Sequence, residues 1–422
     1  MPKYCAVCKT QLPEGSANNV CSFKCGKELH EKLSKGQTAP KKKEPEKPRK
    51  GLNVQAKKKF YEGKAHPPQA VQPCKSAVAK PSKKKRLPKK KEEPPRKEEK
   101  PPEQLKVWLL TWNCANTKPS KDQLDQLIVS RVPGDKPDMI VIGVQEYPRQ
   151  DRIPKKIEQS LKDYRFISEN VVKGLSGGTW YKFGLNGLNC QAVGALVKTG
   201  VRAETSVKAN GNRKYGKGGV ILGIKITKNK SEFGLAFISA HLDSYDKKED
   251  DIKRIINAFP KRQFDAVFMM GDLNYRLDPK GKTFTRTGIC NMISNNPGEL
   301  LNGHDELLSS SLVKEGPYQF EFPDPSARFP PTYKIKSYTV GNHLLTYFGA
   351  KGAEEPNKKL KPKKKRTGID IGWLDRIGWA KKWAGILSGK GEVAQEEFIG
   401  LHEVNMSDHA AVLMKVTVSV KK

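Results

Sequence analysis

After about a hundred positions without periodicity, the chain breaks into short apolar runs. They are Lys106 to Trp112, Met139 to Gln145, Ala192 to Lys198, Val220 to Thr227, Leu235 to His241 and Ala266 to Met270. Runs of this length, rich in Val, Ile and Leu with little alternation, predict strands covered on both faces. Between them, Lys121 to Ser130, Lys155 to Lys162 and Lys247 to Phe259 place apolar residues at helical spacing with charges on the opposite side. Those segments predict amphipathic helices lying on the sheets. The pattern therefore predicts an α/β domain over residues 105–420, without internal repeats. No apolar run approaches the roughly 20 residues that a membrane-spanning helix needs. Met1 to Cys25 also lacks the apolar core of a signal peptide. The expectation is an intracellular protein, cytoplasmic and peripheral to membranes, with nuclear import as the alternative.

Upstream, residues 37–104 are dominated by Lys, Pro, Glu and Ala. They cannot bury enough apolar surface to offset the entropy of ordering, so a disordered linker is expected. Charge sharpens this division. The 422 residues include 79 Lys or Arg and 45 Asp or Glu, a net charge of +34, and residues 1–104 alone contribute +17. A second basic block, Lys351 to Arg366, has eight basic and two acidic residues. Such blocks attract polyanions: nucleic acid, an anionic membrane surface, or a polyphosphorylated solute. A cluster such as Lys83 to Arg86 reads equally as a solvated linker segment, a nuclear-import signal or a lipid-attachment patch.

Four cysteines stand in two knuckles, Cys5 with Cys8 and Cys21 with Cys25, twelve residues apart. Four thiolates so spaced suit one tetrahedral Zn²⁺, whose binding can fold a segment too short to have a core. Disulfides or unpaired thiols are the alternatives. The segment 1–36 also resembles small zinc ribbons whose second knuckle, Cys-Ser-x-x-Cys, precedes a short helix, here Gly26 to Leu33.

Polar residues recur where the predicted strands end. Asn113 follows Thr111-Trp112, Gln145-Glu146 ends the second run, and Ser239-Ala240-His241 ends the fifth. Gly271-Asp272-Leu273-Asn274-Tyr275-Arg276-Leu277 follows the sixth, and Trp373-Leu374-Asp375-Arg376-Ile377 and Ser407-Asp408-His409 lie near the C-terminus. Carboxylates, amides and imidazoles at one rim suit a hard divalent cation together with a phosphoryl group.

In order and identity these segments resemble the endonuclease/exonuclease/phosphatase superfamily, and within it the inositol polyphosphate 5-phosphatases. Gly271 to Leu277, Lys217-Gly218-Gly219-Val220 and Pro331-Thr332-Tyr333-Lys334 carry most of that likeness. It implies two mixed β-sheets packed face to face and flanked by helices, a four-layer sandwich, and Mg²⁺-dependent removal of the 5-phosphate from a phosphoinositide or soluble inositol polyphosphate. It makes Glu146, with Asn113 and Asp408, the Mg²⁺ ligands. Asp272 would orient and deprotonate water, Asn274 would hold that water or the phosphate, and His241 and His409 would donate to phosphoryl oxygens, with Asp375 pairing His409. Lys217, Arg276, Tyr333 and Lys334 would bind substrate phosphates. Three departures stand out: Leu374 where the family has Cys, Ala410-Ala411 where it has Arg-Pro, and Tyr245 where it has a second His. Lys364, Lys365 and Arg366 precede an altered segment, Thr367 to Gly372, where the family has a phosphate-reading Lys/Arg pair.

A nuclease with the same metal site is the rival reading, supported by the zinc-binding pattern and the basic tail. A non-enzymatic polyanion scaffold is the third. Trp112, Trp373 and Trp379 are expected to be packing residues. The Gly-rich stretch Gly174 to Asn189, with Trp180, Tyr181, Phe183 and Leu185, reads as a membrane-dipping loop or one folded back on its domain. The sequence does not fix an oligomeric state.

Overall fold

The computed structural model describes residues 102–132, 134, 136–148, 153–173, 189–212, 217–314, 316–362, 368–404 and 406–421. The four zinc-type cysteines, the Lys/Pro-rich linker, residues 174–188 of the Gly-rich insertion and Lys363 to Thr367 lie outside them.

Two six-stranded sheets form the centre. The first contains, in spatial order, β13 (Gly391–Leu401), β14 (Ala411–Val420), β1 (Gln104–Asn113), β2 (Met139–Pro148), β4 (Asn189–Lys198) and β3 (Tyr164–Lys173). The second contains β10 (Tyr318–Glu321), β12 (Asp375–Trp383), β8 (Ala266–Asp272), β7 (Ser231–His241), β6 (Gly218–Lys228) and β5 (Arg202–Asn210). Within each sheet the central pair is parallel, β1 with β2 and β7 with β8, and the flanking pairs are antiparallel. A two-stranded ribbon pairs β9 (Phe284–Thr285) with β11 (Lys359–Leu360).

Burial on both faces explains the continuous apolar runs. Along β1, Leu105, Val107 and Leu109 point into the core between the sheets, while Trp108, Leu110 and Trp112 point into a second cluster on the outer face. That outer cluster is completed by α1 (Lys121–Leu127) and α2 (Ile153–Ser160), through Leu124, Leu127, Ile153 and Ile157. On the far face of the second sheet, Val267 and Met269 of β8 meet Ile252 and Ile255 of α3 (Lys248–Ala258). Helix, sheet, sheet and helix are thus the four layers the likeness implied. Each fully buried Leu, Ile or Phe contributes about 1.5–3 kcal/mol relative to exposure.

Local chemistry fixes the helix positions. Ser120 accepts from the Gln123 amide at 3.3 Å while Gln123 returns its side-chain oxygen to the Ser120 amide at 2.8 Å, a capping box that starts α1. The helix stops at Leu127, short of the predicted Ser130, because Ile128 leaves helical backbone geometry and a 3-10 turn follows. The remaining helices, α4 (Arg286–Asn295), α5 (Pro297–His304), α6 (His343–Phe348) and α7 (Ala350–Glu354), fill the connection between β9 and β11 around β10. Trp112 and Trp373 are buried, and Trp379 packs partly buried against the core, as expected of packing residues.

Candidate active site

The ladder register brings the chemical residues together. In the second sheet Asp272 ends β8 with His241 opposite it on β7 and Asp375 opposite it on β12. In the first sheet Asn113 ends β1 beside Gln145 on β2, and Glu146 is the next residue. Both parallel pairs end at the same rim, and Asn113 crosses from one sheet to the other by donating its amide to Asp272 Oδ2 at 3.0 Å. The same oxygen lies 3.5 Å from His241 Nε2 and 3.9 Å from His409 Nε2. The other Asp272 oxygen accepts the Asn274 amide N–H at 3.0 Å.

Backbone geometry at this rim is demanding. Gly271 has φ 147°, and a Cβ there would lie 1.9 Å from the Ala240 carbonyl oxygen, so only glycine fits. Glu146 and Asn274 adopt left-handed backbone with φ 47° and 54°. Asn tolerates this region, whereas for Glu it costs on the order of 1–2 kcal/mol. The strain turns the Glu146 carboxylate off the strand and toward the cleft, where it lies 3.6 Å from His241 Nε2.

The two histidines, equivalent in the sequence reading, differ electrostatically. Burial disfavours the charged form of His409, but Asp375 and then Asp272 outweigh it and raise the imidazole to about 9. Asp375 is fully buried and holds His409 Nδ1 at 2.9 Å. At His241, burial and the neighbouring Lys217 ammonium, 2.5 Å from Nε2, lower the imidazole to about 3. His409 is therefore a cation and His241 a neutral ring at neutral pH. Asp272 is held below the usual carboxylate range: burial opposes ionisation, and the charges of His409 and Lys217 with the Asn113 hydrogen bond overcome it.

Residues outside the expected set complete the scaffold. Ser407 Oγ donates to the Asn113 carbonyl at 2.7 Å and accepts the His409 amide at 3.1 Å, tying the C-terminal loop to the end of β1. Thr332 Oγ1 accepts the Asp375 amide at 3.2 Å. Gln145 Nε2 links Thr111 and Ser239 across the two sheets at 3.2 and 3.1 Å. Ser239 and Ser407 stand in the strand-end motifs themselves; Thr332 lies within Pro331 to Lys334.

Three of the four expected phosphate-binding residues, Arg276, Tyr333 and Lys334, form the adjoining wall, while the fourth, Lys217, faces His241. Tyr333 bridges to both Gly372 and His409, and its ring centroid is 4.5 Å from that of His409. Arg276 and Lys334 place their charges 5.0 and 5.6 Å from the same ring. Arg276, 3% exposed, donates to Asn274 Oδ1 at 3.0 Å and to Asp370 at 3.3 Å, which makes it a clamp on Asn274. Lys334 pairs with Asp408 at 3.0 Å. Among the described residues no three His, Cys, Asp or Glu side chains converge as a ready-made metal set.

Comparison with known proteins gives the family. Residues 110–415 match the Endonuclease/Exonuclease/phosphatase family 2. The chain is 26% identical over 252 residues to the type IV inositol polyphosphate 5-phosphatase 11 of Arabidopsis thaliana, covering 56% of this chain and 66% of that protein. It is 26% identical over 311 residues to the phosphatidylinositol 3,4,5-trisphosphate 5-phosphatase 2 of Homo sapiens, covering 66% of this chain and 22% of that one. It thus spans less than two thirds of either relative. Among solved structures, the inositol polyphosphate 5-phosphatase domain of SPsynaptojanin, in complex with inositol (1,4)-bisphosphate and calcium, aligns at TM-score 0.49 and 19% identity over 75% of this chain and 86% of that one. A Cimex nitrophorin aligns at TM-score 0.48 and 18% identity over 76% of this chain and 100% of that one. With its matched region covering most of the chain, this protein belongs to the Endonuclease/Exonuclease/phosphatase family 2.

Proposed function

We propose that this chain is a Mg²⁺-dependent phosphatase that removes the 5-phosphate of phosphoinositides or soluble inositol polyphosphates by in-line attack of water. The observation that carries the reading is the Asp272 carboxylate, held ionised between the Asn113 amide, neutral His241 and cationic His409. The names of the Arabidopsis and human relatives supply the substrate class.

Asp272 accepts a proton from water and aims the oxygen at phosphorus. Cationic His409, fixed by Asp375, donates to a nonbridging oxygen as charge redistributes in the transition state. Asn274, with its amide oriented by Arg276 and the Leu242 carbonyl at 3.0 Å, keeps one N–H for the phosphate or the water. The donor chemistry fits a hard cation. Glu146 would supply a carboxylate and Asn113 an amide oxygen, and Mg²⁺ commonly takes one or two carboxylates and keeps several waters. Asp408 pairs with Lys334 through Oδ2 at 3.0 Å, and its second carboxylate oxygen is the one that would join that set. When bound, Mg²⁺ supplies neutralisation of phosphoryl charge.

The test is phosphate release by the purified chain with Mg²⁺ from a panel of inositol phosphates, phosphoinositides, and nicked or abasic DNA. Release from 5-phosphorylated inositols, reduced about 10²-fold or more in a folded Asp272→Ala variant, is the expected result. Cleavage of DNA alone would replace this reading with the nuclease one, and no turnover with retained polyanion binding would favour a scaffold.

A further inference from the structure

We propose that the end of the two sheets farthest from the candidate active site carries a second, non-catalytic site, a basic cleft that binds a small soluble molecule bearing several phosphates. The site goes beyond the phosphatase reading and does not depend on it.

The cleft, of about 480 Å³, opens where the turn from β6 into β7, the lead-in to β8, the residue before β13 and the end of β14 meet. Pockets for small ligands commonly measure roughly 300–1,000 Å³. The ladders fix its place. β7 leaves the cleft at Ser231 and reaches the rim at His241, so the two sites lie roughly 30 Å apart. Backbone hydrogen bonds tie the walls together. Phe264 N–H donates to the Ile386 carbonyl at 2.7 Å, Asp265 N–H to Gly234 at 2.7 Å, Ser388 N–H to Phe264 at 2.8 Å and Lys421 N–H to Lys390 at 3.1 Å. At Gly391 a Cβ would lie 2.0 Å from the Asp265 carbonyl oxygen, so the start of β13 packs directly on the lead-in to β8. The cleft is therefore built before any ligand arrives.

Its charge is unbalanced. Lys225, Lys230, Arg262, Lys390 and Lys421 line it against Glu232 and Asp265 alone. Both carboxylates are already committed. Asp265 accepts the Gly234 amide at 2.8 Å and the Ser388 hydroxyl at 2.7 Å, one on each oxygen, and Glu232 pairs with Lys225 at 2.7 Å. Lys421 pairs with Glu392. Lys230 and Lys390 form no ion pair among the described residues. Arg262 is held by Nη1 on the Ser206 carbonyl at 3.2 Å, with its guanidinium 5.8 Å from the Phe264 ring. Its other N–H groups remain for a ligand. The Arg262 charge also opposes that of Lys225, so like charges are gathered here rather than spread apart.

Three cationic heads around one concavity, with Ser231 and Gln263 beside them, suit an anion of several charges. A single carboxylate would meet one head, whereas each phosphate brings a charge of about −1.5 to −2 and three acceptor oxygens. The segment 1–104, with its net +17, joins the domain at this same end. Asn229 donates to Glu103 at 2.7 Å and Lys228 to the Gln104 carbonyl at 2.9 Å, next to Lys230. Its field concentrates polyanions where the cleft opens. Because the heads line a concavity, a free molecule reaches more of them than a flat bilayer does.

The experiment titrates inositol hexakisphosphate, without Mg²⁺, into the full-length chain and a full-length Lys230→Gln/Lys390→Gln variant. Binding is read by NMR from the backbone amides of Ser231, Gly234 and Asp265, which separates the cleft from the basic tail and from the catalytic rim. The expected result is saturable shifts at these amides, with an apparent Kd at least about tenfold weaker in the double variant and weaker still as salt rises. Inorganic phosphate should bind there at least about tenfold more weakly than the hexakisphosphate. Amides that do not move, or that move equally in both chains, overturn the proposal. So does inorganic phosphate binding as tightly as the hexakisphosphate, or shifts produced by anionic vesicles or duplex DNA and not by the hexakisphosphate. None of these readings needs turnover, so their failure and that of the phosphatase reading are separate results.

Discussion

Asp375→Asn removes the charge that keeps His409 cationic while preserving the size of the side chain. In the wild type the pair is buried, joined at 2.9 Å, and His409 is raised from 6.5 to about 9. At about 1.4 kcal/mol per pKa unit, the charged imidazole is favoured by roughly 3 kcal/mol. With Asp375 neutral, burial still penalises the cation and Asp272, at 3.9 Å, is left as the nearest opposing carboxylate. The imidazole should fall back toward its ordinary value or below. The assay is kcat/KM for phosphate release between pH 5.5 and 10, the variant being expected to lose at least about tenfold more activity at pH 8 than at pH 6. Stability gives a second readout. A raised histidine stabilises the fold fully below its unfolded value of 6.5, and this contribution disappears as pH rises through about 9. Urea unfolding of the wild type should therefore weaken by up to about 3 kcal/mol from this pair between pH 6.5 and 9.5, and that of Asp375→Asn by much less. A variant whose activity is uniformly reduced, with a pH profile parallel to the wild type, would refute the argument.

Three further outcomes are expected. Gly271→Ala should prevent native folding or cost more than about 3 kcal/mol, because its Cβ would lie 1.9 Å from the Ala240 carbonyl oxygen; chemical denaturation of the soluble fraction checks this. Lys334→Ala should weaken catalysis more for substrates carrying a phosphate next to the scissile one than for those lacking it, and an equal loss for both in steady-state kinetics would assign Lys334 another role. Removing residues 1–104, which carry a net +17, should leave hydrolysis of a soluble inositol phosphate nearly unchanged while reducing salt-sensitive sedimentation with anionic vesicles. DNA binding measured across the same salt series tests the competing role, and loss of DNA binding alone would reject the membrane one.

The interior strands were legible because both their faces are buried and their residues are continuously apolar. β1, β2, β4, β6, β7 and β8 all coincide with predicted runs. Edge strands were not. β5 and β13 leave most of their side chains exposed or half-exposed, so Arg202–Asn210 and Gly391–Leu401 read as polar segments. β12 carries exposed Lys381 and Lys382 just before its last residue, Trp383, and they blur an otherwise buried strand. β14 is as apolar as the central strands, and no physical property hides it. At the rim, polar residues closing apolar runs were visible in one dimension, and the ladders bring them together. Pairing was not visible: that His241 faces Lys217, or that Arg276 is committed to Asn274 and Asp370, depends on contacts across up to 94 positions. Asp370 lies in Thr367 to Gly372, the segment that departs from the family pattern, but nothing in one dimension showed that its carboxylate pairs with Arg276.

Because both central parallel pairs finish at one rim, the opposite ends of the same strands lie far from the candidate site. Strands of ten or eleven residues such as β1 and β7 put that far pole about 30 Å from the reacting groups. Its connections include the tight turn through Asn229 and Lys230, both with positive φ, which joins β6 to β7 by two residues. An affinity handle, a fluorophore or a surface tether attached there would report on or immobilise the protein with its cleft facing outward. A lengthened turn at that pole would be screened for its effect on folding and on the basic cleft.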